Sequence, residues 1–173
     1  MKRKNAKQVA LSGMLFALAM TLSFVESSIA PILGLAPGVK IGLANVVVMY
    51  ALFFMGFSWA FSIAVLKALF VLLTRGVVAG ALSLSGGLLS LAVMWAIYKL
   101  PCKPTFFIVS VCGALSHNIG QLIAVSFIMQ NKFALAMAPM LILSGLGMGL
   151  ITSSSLNAIL PSLKRMGFNT RKS

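Results

Sequence analysis

Acidic side chains are almost absent: the 173 residues include one, Glu26, and no aspartate. That excludes aspartate-bound magnesium–diphosphate chemistry within this chain, because a hard divalent cation needs clustered oxygen ligands. One histidine and one glutamate are too few for a conventional metal site or a catalytic carboxylate pair. The two cysteines, Cys102 in a Lys-flanked segment and Cys112 in an apolar run, support neither a disulfide framework nor a zinc site. No G-x-x-x-x-G-K-[ST] string occurs, so the chain has no P-loop for a nucleotide. No serine or cysteine stands beside a recognisable base with an orienting acid. The expectation is a protein that is not an enzyme, holds no metal and carries no cofactor of its own.

Charge of either sign is scarce, 9% of residues against about a quarter in soluble domains. Apolar residues make up 60% of the chain, and its mean hydropathy is +1.06. A soluble core of this size would leave much of that surface facing water, so a soluble globular class is excluded. Fourteen Lys and Arg give a net charge of +13. Nucleic-acid binding needs a water-facing basic surface, so no nucleic-acid partner is expected. The chain reads as an integral membrane protein, and its cations report how it sits in the bilayer.

A membrane helix needs about 20 mostly apolar residues. Six candidates follow, at approximately 8–25, 41–55, 59–73, 81–98, 105–129 and 134–160. Glu26-Ser27-Ser28 with Pro31, Gly34 and Pro37 breaks the first from the second, and Gly56-Phe57-Ser58 separates the second from the third. A Gly- and Ser-rich stretch, Thr74 to Gly87, precedes the fourth; Pro101 and Pro104 follow it, and Pro161 ends the sixth. The fold class expected is an all-α integral membrane protein, one six-helix transmembrane domain over residues 1–173. With the N-terminus inside, the cytoplasmic side receives ten cations and the other side three, Lys40, Arg75 and Lys132. That asymmetry puts both termini in the cytoplasm of a multi-pass cell-membrane protein. Reading residues 1–30 as a cleaved signal peptide is disfavoured, because the apolar stretch is long and leads into further spans.

Ionisable groups inside spans are expensive and mark functional sites. The first span runs outward to Glu26; the second runs inward, with Lys40 at its mouth and Asn45 roughly 7 Å deeper. Lys67 lies halfway along the third span, with Arg75 at its exit. On the fifth, His117 is near mid-depth with Asn118 and Gln121 above it, and His117 and Gln121 share a face. Polar groups from four spans thus gather in the outer half, which predicts a cavity open to the outside and cationic overall. Its ligand would be anionic, or neutral with carbonyl or phosphate oxygens. The blander readings are snorkelling for Lys40 and Arg75, an ion pair with Glu26 for Lys67, and interhelical hydrogen bonding for the amides and His117.

Ala6, Ala10, Gly13 and Ala17 form a small-residue ridge on the first span, which suits either internal packing or a docked helix. Gly145 and Gly149 make a GxxxG pair on the sixth, read as internal packing. The methionines, among them Met137, Met140 and Met148, read as adaptable apolar filler.

Val25-Glu26, Pro37-Gly38-Val39-Lys40-Ile41-Gly42-Leu43-Ala44-Asn45, the segment from Ser83 to Ser90, and Gly113-Ala114-Leu115-Ser116-His117-Asn118-Ile119-Gly120-Gln121 resemble the Gx transporter family, also called heptaprenyl diphosphate synthase component I. The resemblance covers about residues 5 to 160. That family resembles the substrate-binding S-components of energy-coupling factor (ECF) transporters. The kinship implies an outward pocket that captures a scarce nutrient, with Glu26, Lys40, Asn45, Lys67, Arg75, His117, Asn118 and Gln121 as ligand-binding candidates. It implies that Ala6, Ala10, Gly13 and Ala17 dock on an ECF transmembrane coupling protein, that partner ATPases supply ATP-driven toppling, and that the Thr74–Gly87 loop gates the pocket. The synthase label has no catalytic motif behind it here. Members of the family also resemble a component of extracellular electron transfer, which implies as an alternative a quinone- or flavin-linked membrane subunit. An accessory role as anchor or assembly factor in isoprenoid synthesis is a third reading.

Overall fold

The computed structural model describes residues 2–29, 31–32, 34, 42–101, 105–129 and 138–165. It contains six helices: α1 (Lys2–Ile29), α2 (Asn45–Phe54), α3 (Phe57–Arg75), α4 (Val77–Tyr98), α5 (Phe106–Met129) and α6 (Ala138–Arg165). No strand occurs among the described residues. α1 from Gln8, α3, α4 and α5 to Ile128 are long and apolar enough to cross a membrane, while the apolar stretches of α2 and α6 are shorter. The molecule is an all-α membrane bundle.

Its centre is α2. Ten residues of helix rise about 15 Å, half of a bilayer's hydrocarbon core, yet nine of them are buried and α2 touches each of the other five helices. A helix that is apolar all round has no face for water and belongs inside. The second expected span is thus a short buried helix led in by the non-helical residues 42–44. Irregular backbone at membrane depth is tolerated only when enclosed by protein, and Gly42 and Ala44 are buried.

Around α2, the helices α1, α3, α4, α5 and α6 pack in that order, each on the next, and α1 rests only on α2 and α3 among the described residues. Two corners are single glycines. Gly56 (φ 100, ψ 174) and Gly76 (φ 89, ψ 176) adopt a backbone conformation essentially reserved for glycine. Beyond the second corner a Cβ on Gly80 would lie 2.6 Å from the Leu72 Cβ, so α3 and α4 run closely side by side. The gate loop expected over Thr74–Gly87 is therefore corrected: α4 begins at Val77, and its glycines and serines belong to a helix.

Those glycines bring backbones together. A Cβ on Gly120 would lie 2.8 Å from the Ser85 carbonyl oxygen, and one on Gly149 2.8 Å from the Val111 Cα. Ser90 Oγ donates to the Gly113 carbonyl and Ser110 Oγ to the Gly149 carbonyl, each at 2.8 Å. Small residues with hydroxyl crosslinks hold membrane helices where hydrophobic force is weak. The GxxxG pair of α6 does pack internally, against α5.

At the end where α2 stops, Phe53 meets Tyr98 and Phe106 edge-on, both at 4.9 Å, and Tyr50 stacks on Phe54 at 4.7 Å. On the orientation expected from the charges, this aromatic layer closes the cytoplasmic half. Asn45 and the Glu26 carboxylate bound at residues 42–43 lie at the opposite end of α2.

Candidate binding site

Glu26 sits in the last turn of α1 and is 1% exposed. Its Oε1 accepts the backbone N–H of Gly42 in a short hydrogen bond and that of Leu43 at 3.2 Å. These N–H groups belong to the turn that feeds α2, where a helix leaves donors without intrahelical partners and where a carboxylate is favoured by the helix dipole. A side chain of α1 thus caps α2 from outside. Gly42 has a φ of 102°, a value that permits the turn and suits glycine.

Asn45 opens α2. Lys67, halfway along α3, donates from Nζ to Asn45 Oδ1 at 3.0 Å. Both side chains are buried, Lys67 to 3% exposure. Because an ammonium only donates, the amide atom facing it is the oxygen, which leaves Asn45 Nδ2 turned elsewhere. Among the described residues that nitrogen has no hydrogen-bond partner, and neither has Ser83 Oγ on α4. Glu26 attracts both Lys67 and Arg75 electrostatically.

His117 of α5 completes the level. A Cβ on Gly42 would come 3.2 Å from its Cδ2, and one on Gly86 of α4 would come 2.9 Å from its Nδ1. The ring is therefore held between two glycines, and Gln121 Nε2 lies 2.6 Å from its Nε2. The same hypothetical Gly42 Cβ lies 3.3 Å from Asn45 Nδ2, so the Asn45–Lys67 pair and the His117–Gln121 pair are neighbours across Gly42.

The structure therefore joins Glu26, Asn45, Lys67, His117 and Gln121 into one buried cluster drawn from four helices. Asn118 faces another way. Its Nδ2 donates to the Leu141 carbonyl at 2.5 Å and lies 3.5 Å from Ser144 Oγ, so it ties α5 to α6, although its Oδ1 is unpartnered. Arg75 is only partly buried at the end of α3, two turns from Lys67. Lys40 and Lys132 lie outside the described residues. Gly42 and Gly86 join the site's walls, and the buried Ser83 lies one turn before Gly86 on α4; a positive φ and a ring-sized notch leave no mark in a single sequence, and a serine in a helix is ordinarily satisfied by its own backbone. Ser90 serves helix packing. Among the described residues no three of His, Cys, Asp and Glu come together.

The α1 ridge points away from all this. Ala6, Ala10, Gly13 and Ala17 are exposed, and a Cβ on Gly13 would meet nothing within 4 Å. α1 packs inward through Leu15, Ala19, Ser23 and Glu26, all buried, a stripe on the opposite side of the helix.

A protein-family model described as heptaprenyl diphosphate synthase component I matches residues 15–159. No curated protein and no solved structure matches the chain.

Proposed function

Because the chain belongs to the heptaprenyl diphosphate synthase component I family, we propose that it is a multi-pass membrane binding protein, the S-component of an ECF-type transporter. It captures an anionic or oxygen-rich small molecule at the Glu26 end of the bundle. A partner coupling protein and ATPases drive uptake with ATP; the chain performs no catalysis and holds no metal. It works in the cell membrane with both termini inside.

The observation that carries this reading is the cluster of Glu26, Asn45, Lys67, His117 and Gln121, which contains the two buried charged side chains found among the described residues. Polar groups inside a membrane are costly and persist for function, and among the described residues Asn45 Nδ2 of the cluster and the buried Ser83 Oγ, one turn before Gly86 on α4, lack hydrogen-bond partners. The outward-turned ridge of α1 supports the docking half, since small-xxx-small surfaces admit a second helix closely.

Co-expression with an ECF coupling protein tests the partnership. Ala10→Trp places a large ring on an exposed position, so the bundle should fold and the complex should fail to co-purify. An unchanged complex would refute docking through this ridge. A quinone or flavin that co-purifies and bleaches on reduction, with no need for ATPases, would instead favour a redox subunit.

A further inference from the structure

The charges of the cluster and the direction of its hydrogen bonds together indicate what kind of molecule it takes, an inference that rests on the binding-site reading above. Among the described residues, one carboxylate and one ammonium are buried at this level, Glu26 and Lys67. Gly42, which binds Glu26, adjoins Asn45, which binds Lys67, and the carboxylate and ammonium carry opposite charges, so these two buried groups are neutral in sum. The Glu26 carboxylate accepts from two backbone N–H groups.

The remaining hydrogen-bonding capacity is mostly on the donor side, the Ser83 hydroxyl being able to donate or to accept. Lys67 has three N–H bonds and gives one to Asn45 Oδ1. Asn45 Nδ2 and Ser83 Oγ have no partner. Asn45 is 6% exposed and Ser83 1%, so bulk water does not serve them. A buried donor is satisfied by an acceptor atom, and an uncharged acceptor completes this set without disturbing the charge balance. A phosphate or diphosphate would add negative charge that the neutral pair cannot offset, in a medium where uncompensated charge is heavily penalised. Arg75 is partly exposed and also attracted by Glu26, which makes it a weak counter-charge for a buried anion.

We propose that the site takes an uncharged molecule presenting carbonyl or hydroxyl oxygens to Lys67, Asn45 and Ser83, and that Glu26 sets this preference by cancelling the ammonium. Glu26 is then a specificity-determining residue that acts through Lys67.

The test has two arms. In the first, the full chain is purified from membranes and the small molecules retained are identified by mass spectrometry, for the wild type, Lys67→Met, Lys67→Arg, Asn45→Leu and the control Lys99→Gln. In the second, inorganic phosphate and pyrophosphate are titrated into the wild type and Glu26→Gln, with thermal stability as readout. Glu26→Gln keeps an oxygen for the Gly42 and Leu43 N–H groups, and Lys67→Arg keeps the charge; circular dichroism and monodisperse elution confirm folding. The expected result is an uncharged, carbonyl- or hydroxyl-bearing molecule, retained by the wild type and Lys99→Gln. Its retention should fall about tenfold or more in Lys67→Met and Asn45→Leu, which each lose a hydrogen-bond donor, and less in Lys67→Arg, which keeps a charged one. Pyrophosphate should leave the wild type unchanged and stabilise Glu26→Gln. A phosphorylated or carboxylated molecule retained through Lys67, or stabilisation of the wild type by pyrophosphate, would overturn the charge inference and leave the binding site standing. If no molecule depends on Lys67 and Asn45 for retention, the binding-site reading falls, and this inference with it.

Discussion

A carboxylate can be buried in so apolar a bundle because two backbone N–H groups meet it at the head of α2. His117 is accommodated by shape: glycines on both sides leave room for the ring and nothing larger. Gly86→Ala should therefore push His117 away from Gln121. It should lower stability by ~1–3 kcal/mol, the usual cost of overpacking a tight core, and should shift the His117 ring resonances in NMR spectra. Unchanged resonances would show that the notch does not hold the ring. The cluster's residues were readable in the sequence, because a charge or amide inside an apolar run stands out: Glu26, Asn45, Lys67, His117 and Gln121 all come together. Their supports were not. Gly42 and Gly86 look like any other glycine in a glycine-rich membrane chain, and Asn118 differs from its neighbour His117 only by the 100° turn of the helix that aims it at α6.

At the scale of elements, glycine has two distinct uses. At Gly56 and Gly76 it turns the chain between helices; at Gly80, Gly120 and Gly149 it lets helices touch. Composition alone cannot separate these uses, which is why the Gly- and Ser-rich Thr74–Gly87 stretch reads as a loop in sequence but folds as the end of α3, one corner and the start of α4. Hydropathy likewise shows that 41–55 is apolar but not that only ten of those residues form a helix. Two substitutions separate the uses. Gly76→Ala should cost ~1–3 kcal/mol through backbone strain, whereas Gly87→Ala, on the same helix with open space around its Cβ, should be tolerated or slightly stabilising because alanine is the better helix former. Thermal unfolding in detergent compares them; equal effects would argue against a strained corner at Gly76.

For the whole molecule, an apolar composition and scarce acids were enough to indicate a helical membrane bundle, and the structure is one. The distribution of the cations predicts an orientation with both termini inside. Reporter fusions at both termini should show cytoplasmic activity, and a periplasm- or exterior-active reporter at either end would reverse the assignment of the polar end to the outside. The two faces of α1 differ at this scale: it buries Glu26 in the cluster and turns its small-residue ridge outward, while Phe53, Tyr98 and Phe106 pack together where α2 stops.

The central claim is that the buried polar cluster holds a small molecule, and an experimental structure of the protein purified without stripping its ligands tests it most directly. The account predicts non-protein density within hydrogen-bond distance of Lys67 Nζ, Asn45 Nδ2 and Ser83 Oγ. Continuous protein contacts satisfying all three atoms, with no density between them, would contradict it.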